Sequence, residues 1–148
     1  MRLSNKSVYA LRALFDLAFY GESEPVQLKD IAERQCIPSR FLEQIFQTLK
    51  RAGLVRSKRG PGGGYLLGRM PSTIRLGDVF RALGEAPQMG DVGLPEQRDR
   101  PFVADVVCGE LLDSIHDLLD STTLEDLRRR GVTLGVPRGS YEDFVYVI

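Results

Sequence analysis

The side chains best suited to chemistry lie between Ser39 and Leu67. Lys50, Arg51, Arg56, Lys58 and Arg59 fall in a stretch, Gln44 to Gly68, that holds no Asp or Glu. Unopposed positive charge suits phosphate. Just ahead lie Arg40, Glu43, Gln44 and Gln47. Glu accepts from cytosine N4, Gln pairs with adenine, and Arg takes guanine or phosphate. A solvated charged face is the plainer explanation for five cations alone. The pattern around them tips the balance toward nucleic acid.

Other chemistry finds less support. Gly60, Gly62, Gly63 and Gly64 follow Arg59 in Arg59-Gly-Pro-Gly-Gly-Gly-Tyr-Leu-Leu. A phosphate-binding P-loop needs Gly-Lys-Ser/Thr opening a helix. Here an apolar, strand-like Tyr-Leu-Leu follows, so the glycines read as backbone geometry for a turn. His116 is the single histidine, and a zinc site needs several N or S ligands; no metal site is expected. Nothing resembles a Ser/His/Asp set or a carboxylate pair, so no catalytic residue is assigned and an enzyme is not expected. Cys36 and Cys108 are the only cysteines. Each reads as a small core hydrophobe; the sharper alternative is that Cys108 pairs with its mate across a dimer on oxidation. That alternative would make the chain a thiol-based sensor, or a helix-mediated interaction module, with reduced DNA binding.

These residues need elements to hold them. Leu42, Ile45, Phe46 and Leu49 recur at helical spacing, which turns Arg40, Glu43, Gln44, Gln47 and Arg51 to the opposite face. Ser39 is read as the N-cap of this helix and Gly53 as its C-terminal stop. Leu54–Ser57 and Tyr65–Leu67 read as two short strands around the glycine turn. A helix of this kind followed by a basic hairpin has the layout of a winged helix-turn-helix. Upstream, Ser4 to Tyr20 reads as a first helix capped by Ser4, with Val8, Leu11, Leu14, Phe15 and Ala18 inward and Arg2 and Lys6 free to meet solvent or phosphate. Gln27 to Gln35 reads as a second, short helix, with Leu28, Ile31 and Ala32 inward, and Cys36-Ile37-Pro38 as the turn.

Downstream, Pro71 to Leu83 reads as a fourth helix packing back on the first. Gly84 to Asp99 has the composition of a mobile loop. Pro101 to Ser121 reads as the longest helix. Its stripe of Val103, Val106, Val107, Leu111, Leu112, Ile115, Leu118 and Leu119, with Cys108 on or beside it, is wide for so small a domain. It reads as a contact with a second copy across a twofold axis; packing within one subunit is the alternative. Thr122 with Glu125 fits a capping box that starts a short helix through Arg130, closed by Gly131. The remaining tail reads as a short strand or a docked arm.

The 148 residues carry no net charge, yet residues 1–70 hold twelve Lys/Arg against six Asp/Glu, and residues 71–148 hold eight against fourteen. A basic front and an acidic back imply two tasks. Few cysteines, no signal pattern and no apolar run of membrane-spanning length give a cytoplasmic expectation.

Several features together resemble the Rrf2 family of bacterial transcription regulators: Met-Arg-Leu-Ser with Tyr9-Ala10-Leu11, the block from Leu28 to Gln35, Phe41-Leu-Glu-Gln-Ile-Phe, Ala52-Gly-Leu-Val, and above all the wing from Arg59 to Leu67. The likeness is close from Met1 to about Leu83 and weaker in the long helix and in Thr123-Leu124. It implies a mainly α fold with a small β-wing, in which a winged helix-turn-helix domain is followed by a long dimerisation helix. It implies a homodimer that binds double-stranded DNA as a repressor, reading a roughly palindromic operator. Glu43 and Gln44 stand at the family's base-reading positions, and Arg59 is the wing arginine that enters the minor groove. Many members hold an iron–sulfur cluster on three closely spaced cysteines between the fourth helix and the dimer helix. This chain has none there; Phe102 and Asp105 stand near the expected ligand positions. No cluster is therefore expected, and the signal becomes an unknown protein or small molecule.

The expected DNA-contacting set is Arg2, Lys6, Ser39, Arg40, Glu43, Gln44, Gln47, Lys50, Arg51, Lys58, Arg59, Gly60, Gly62 and Gly63. The expected dimer set is Val103, Val107, Cys108, Leu111, Leu112, Ile115, Leu118 and Leu119. The expected division is 1–83 for DNA binding, 84–100 as a flexible loop, 101–131 for the dimer helix and the short helix after it, and 132–148 as a tail.

Overall fold

The computed structural model describes residues 2–91 and 99–138. Part of the expected loop (92–98) and most of the expected tail (139–148) lie outside the described residues. The elements run α1 (Asn5–Tyr20), α2 (Leu28–Gln35), α3 (Ser39–Arg51), β1 (Val55–Lys58), β2 (Gly64–Leu67), α4 (Leu76–Ala82), α5 (Val103–Ser121) and α6 (Leu124–Thr133). The fold is mainly helical, with one antiparallel two-stranded sheet.

Ser4 caps α1 as expected, its side chain accepting from the Ser7 N–H. The buried face of α1 is rotated from the expected one. Ser7, Ala10, Ala13, Leu14, Leu17 and Ala18 enter the core, while Val8, Leu11 and Phe15 are only half-buried. Small alanines let α1 sit close to α2, α3 and α4, and the larger flank residues border a shallow apolar cavity against α6. All four apolar residues of the α3 stripe are buried. Pro38, not Ser39, occupies the N-cap of α3: its fixed φ suits the extended cap, and its carbonyl accepts from the Leu42 N–H at 3.0 Å. Gly53 takes φ +74° just past α3, as a helix stop requires.

Three expectations need correction downstream. The segment from Pro71 is not one helix: a 3-10 turn, Pro71–Thr73, breaks at Ile74 before α4. Ile74 is fully buried in extended form, and its carbonyl accepts from Leu124. The capping box is Thr123 with Asp126 rather than Thr122 with Glu125. Thr122 instead accepts from the Leu76 N–H through its backbone carbonyl, at 2.9 Å. Gly131 does not end α6; it is buried inside the helix, where a Cβ would come within 2.8 Å of the Phe15 ring. Gly135, at φ +74°, lies beyond the C-cap instead.

Candidate nucleic-acid interface

α2, the turn and α3 form the helix-turn-helix, and a buried ion pair braces its first half. Asp16, wholly buried on α1, accepts two bonds from Arg34 (2.7 and 2.9 Å) and one from Gln35 (3.0 Å) on α2. The Arg34 guanidinium also stacks 4.6 Å above the Tyr20 ring. Donating to Asp16 holds the Arg34 pKa above its ordinary value, and burial raises that of Tyr20. The sequence reading missed this clamp. The available signal was an acid set among Leu14, Phe15, Leu17 and Ala18, since a charge on a core face is seldom tolerated without a partner.

With the α3 stripe inward, Arg40, Glu43, Gln44, Gln47, Lys50 and Arg51 are exposed on one face, as is Ser39 in the first turn. Arg51 makes a long bond (3.4 Å) to the Gln47 carbonyl.

The wing is tied to this helix at its root. β1 and β2 pair Val55 with Leu67 through Lys58 with Gly64. Tyr65 fixes the hairpin in two directions. Its ring meets Phe46 of α3 edge-on at 4.7 Å, and its backbone exchanges two bonds with Val26 (2.8 and 2.9 Å), ahead of α2. At the tip, Gly60 and Gly62 adopt positive φ. A Cβ on Gly63 would collide with the Lys58 carbonyl. The turn therefore lifts Lys58, Arg59, Gly60 and Gly62 into solvent.

The N-terminus is less free than expected. Arg2 is exposed, but Lys6 is half-buried and donates to the Leu83 carbonyl at 3.1 Å. Beside it the Glu85 carboxylate accepts from the hydroxyls of Ser4 and Ser7. Burial alone would raise the Glu85 pKa; the two hydroxyls and the Lys6 charge outweigh it and hold the group below its usual range.

α5 departs from the other α-helices described in having no buried residue. Val103, Leu111 and Leu118 are 76%, 60% and 68% exposed. Val107 and Cys108 are exposed too, while Leu112, Ile115 and Leu119 are half-buried. Arg81 of α4 reaches Asp120 at 2.7 Å, above Gly77, where a Cβ would strike that carboxylate. Cys36 is also exposed, contrary to a core role: it takes φ +52° at the end of α2, and Ile37 fills the inward position of the turn. Cys36 and Cys108 stand on separate elements. Among the described residues, no grouping of three or more His, Cys, Asp or Glu could hold a metal ion, and no helix is long and apolar enough to cross a membrane.

A polar-faced helix after a tight turn, with a basic wing pinned beside it, defines a winged helix-turn-helix protein. The signature of the Rrf2 family, described as an iron-dependent transcriptional regulator, matches residues 3–130. The chain belongs to the Rrf2 family of transcriptional regulators. It is 41% identical over 131 residues to the HTH-type transcriptional regulator IscR of Pectobacterium carotovorum subsp. carotovorum (strain PC1), covering 86% of this chain and 79% of that one. Among solved structures, T. potens IscR superposes with a TM-score of 0.76 at 38% identity, covering 94% of each chain. CymR, the global cysteine regulator of B. subtilis, gives 0.74 at 37% identity, covering 88% of this chain and 98% of that one.

Proposed function

We propose that two copies of this chain bind double-stranded DNA at a roughly palindromic operator and repress transcription there, in the cytoplasm and without a catalytic step. In this reading residues 1–83 form the DNA-binding unit. Glu43 and Gln44 reach base edges, and Arg40 and Gln47 flank them. Lys50, Arg51 and Lys58 meet phosphate, and Arg59, lifted by Gly60, Gly62 and Gly63, enters the minor groove. Ser39 and Arg2 approach the backbone from either side. Lys6 has the weakest claim, because it already serves Leu83.

The single observation behind this reading is the complete burial of the α3 stripe, which leaves a continuous polar face outward beside a basic wing. The exposed apolar residues along α5 support the dimer, since large side chains left uncovered along one helix favour an interaction surface. The donor set does not fit an iron–sulfur cluster. Such clusters rest on several thiolates, and two cysteines on different elements do not supply them. The regulator is therefore read as cluster-free, with a protein or small-molecule signal.

Selecting bound fragments from the organism's own genome, then measuring affinity across salt, tests this function. Binding should weaken steeply as salt rises, through counterion release. Absence of any enriched sequence would refute it.

A further inference from the structure

Between α1 and α6 lies an apolar hollow of about 620 Å³. None of its lining residues belongs to the expected DNA-contacting or dimer sets. Val8, Leu11 and Phe15 of α1 form one wall, and Leu127, Leu134 and Val136, on and beyond α6, form the other. Gly131 brings the walls together, because its missing side chain makes room for the Phe15 ring. Leu134 is 67% exposed, so the second wall is open to solvent.

The polar border of this hollow is cationic. Arg12 and Arg130 line it and are exposed. Neither makes an ion pair among the described residues. Arg12 makes a long bond, 3.5 Å, to the Gln35 carbonyl and lies 5.6 Å from the centre of the Tyr9 ring. Asp126 is the carboxylate among the lining residues, and it is already engaged. It accepts from the Thr123 N–H at 2.8 Å and from the Thr123 hydroxyl at 3.0 Å. Two guanidinium groups against one carboxylate leave a single positive charge at the border.

An apolar hollow of this volume is in the range of small-molecule sites, and its charge suits one carboxylate on an apolar body. The apolar stripe of a second copy fits it poorly. α5 runs over 19 residues, about 28 Å of helix, much longer than a hollow of this volume.

We propose that this hollow is the regulator's signal site and takes a small apolar monocarboxylic acid. The inference rests on the reading of the chain as a cluster-free regulator. Arg12 and Arg130 hold the carboxylate, and the walls of α1 and α6 cover the apolar body. The position explains how occupancy is felt. Thr122 joins α5 to α6, and Gln35 ends α2; both line the hollow. The Gln35 side-chain amide also donates to Asp16 at 3.0 Å, within the clamp that braces the helix-turn-helix. A ligand held by Arg12 and touching Gln35 ties the end of α2 to the arm that carries α5.

Calorimetric titration of the full chain, without DNA, tests the site with octanoate, octanol and octylamine as probes. Octanoate should bind at one site per chain, and octanol roughly tenfold more weakly, about the loss of one charge-assisted bond. Octylamine should not bind. Arg12→Gln/Arg130→Gln should weaken octanoate to the level of octanol, and Leu134→Asp should abolish binding of both. All three replaced side chains are exposed, so melting of the variants should match that of the natural chain. Amide exchange should slow on adding octanoate over residues 122–136 and also over 33–37. Absence of octanoate binding, or equal binding of acid and alcohol, would overturn the proposal. So would unchanged exchange over 33–37, or a Leu134→Asp chain that turns monomeric in sedimentation velocity, since the hollow would then be covered by a second copy. Because no operator is present, failure of the DNA-binding reading leaves these signals in place.

Discussion

α3 and α5 are both amphipathic helices, yet they use the same periodicity for opposite ends. In α3 every stripe residue is buried within its own chain, and the outward face is polar. In α5 the outward face is itself the apolar one, with Leu111 and Leu118 mostly exposed and no residue buried. A helix that has satisfied its apolar stripe internally can offer hydrogen-bonding side chains to a ligand. A helix that has not must find another protein surface. In the proposed reading one chain carries a finished reading head and an unfinished interface, and a second copy would complete the latter.

The sharpest way to break this contrast is on α5. Leu111→Asp with Leu118→Asp should abolish dimerisation in sedimentation velocity while leaving helicity and melting of the monomer nearly unchanged, because neither side chain supports its own subunit. If the double variant remains a dimer, the exposed stripe is not the contact. On the other side of the comparison, Asp16→Ala should cost about 3 kcal/mol in denaturant melts, since it strands Arg34 in a largely buried site. Gln44→Ala should leave stability alone and lose ~1–3 kcal/mol of operator affinity, relaxing preference at one base pair; competition with single-site operator variants reads this directly.

The smallest effect is on pH dependence. Glu85 is held below its ordinary pKa, so folding gains from its ionised form above the usual carboxylate range and loses that gain as pH falls through the folded value. Thermal melts of the natural chain and of Glu85→Gln should differ near neutrality and converge in acid, once pH has fallen through the lowered value. A difference that persists in acid would assign the Glu85 contact to packing alone.

Much of the reading head could be recognised in advance because its determinants are local. The α3 period, the Ser4 cap, the Gly53 stop and the glycine turn each depend on neighbours within a few residues. What escaped recognition depends on contacts distant in sequence. Gly131 looks like a terminator until Phe15 and Phe19, on another helix, are seen to require its missing side chain. Ile74 breaks a helix because Leu124 bonds to it from fifty residues away. Thr122 loses the capping role to Thr123 through its pairing with Leu76. Asp16 carries no periodic signal, since its partner lies on α2. Among the candidate DNA contacts, Lys6 and Ser39 stand in surroundings other than those expected: Lys6 donates to a distant carbonyl, and Pro38 takes the cap position ahead of Ser39.

The most direct measurement is a hydroxyl-radical footprint of the dimer on a genomically selected fragment, with the natural chain and with Arg59→Ala. The account predicts two symmetric protected patches, their centres about one helical turn or a multiple of it apart, and loss of minor-groove protection in both halves on removing Arg59. A single asymmetric patch, or a footprint unchanged by Arg59→Ala, would contradict it.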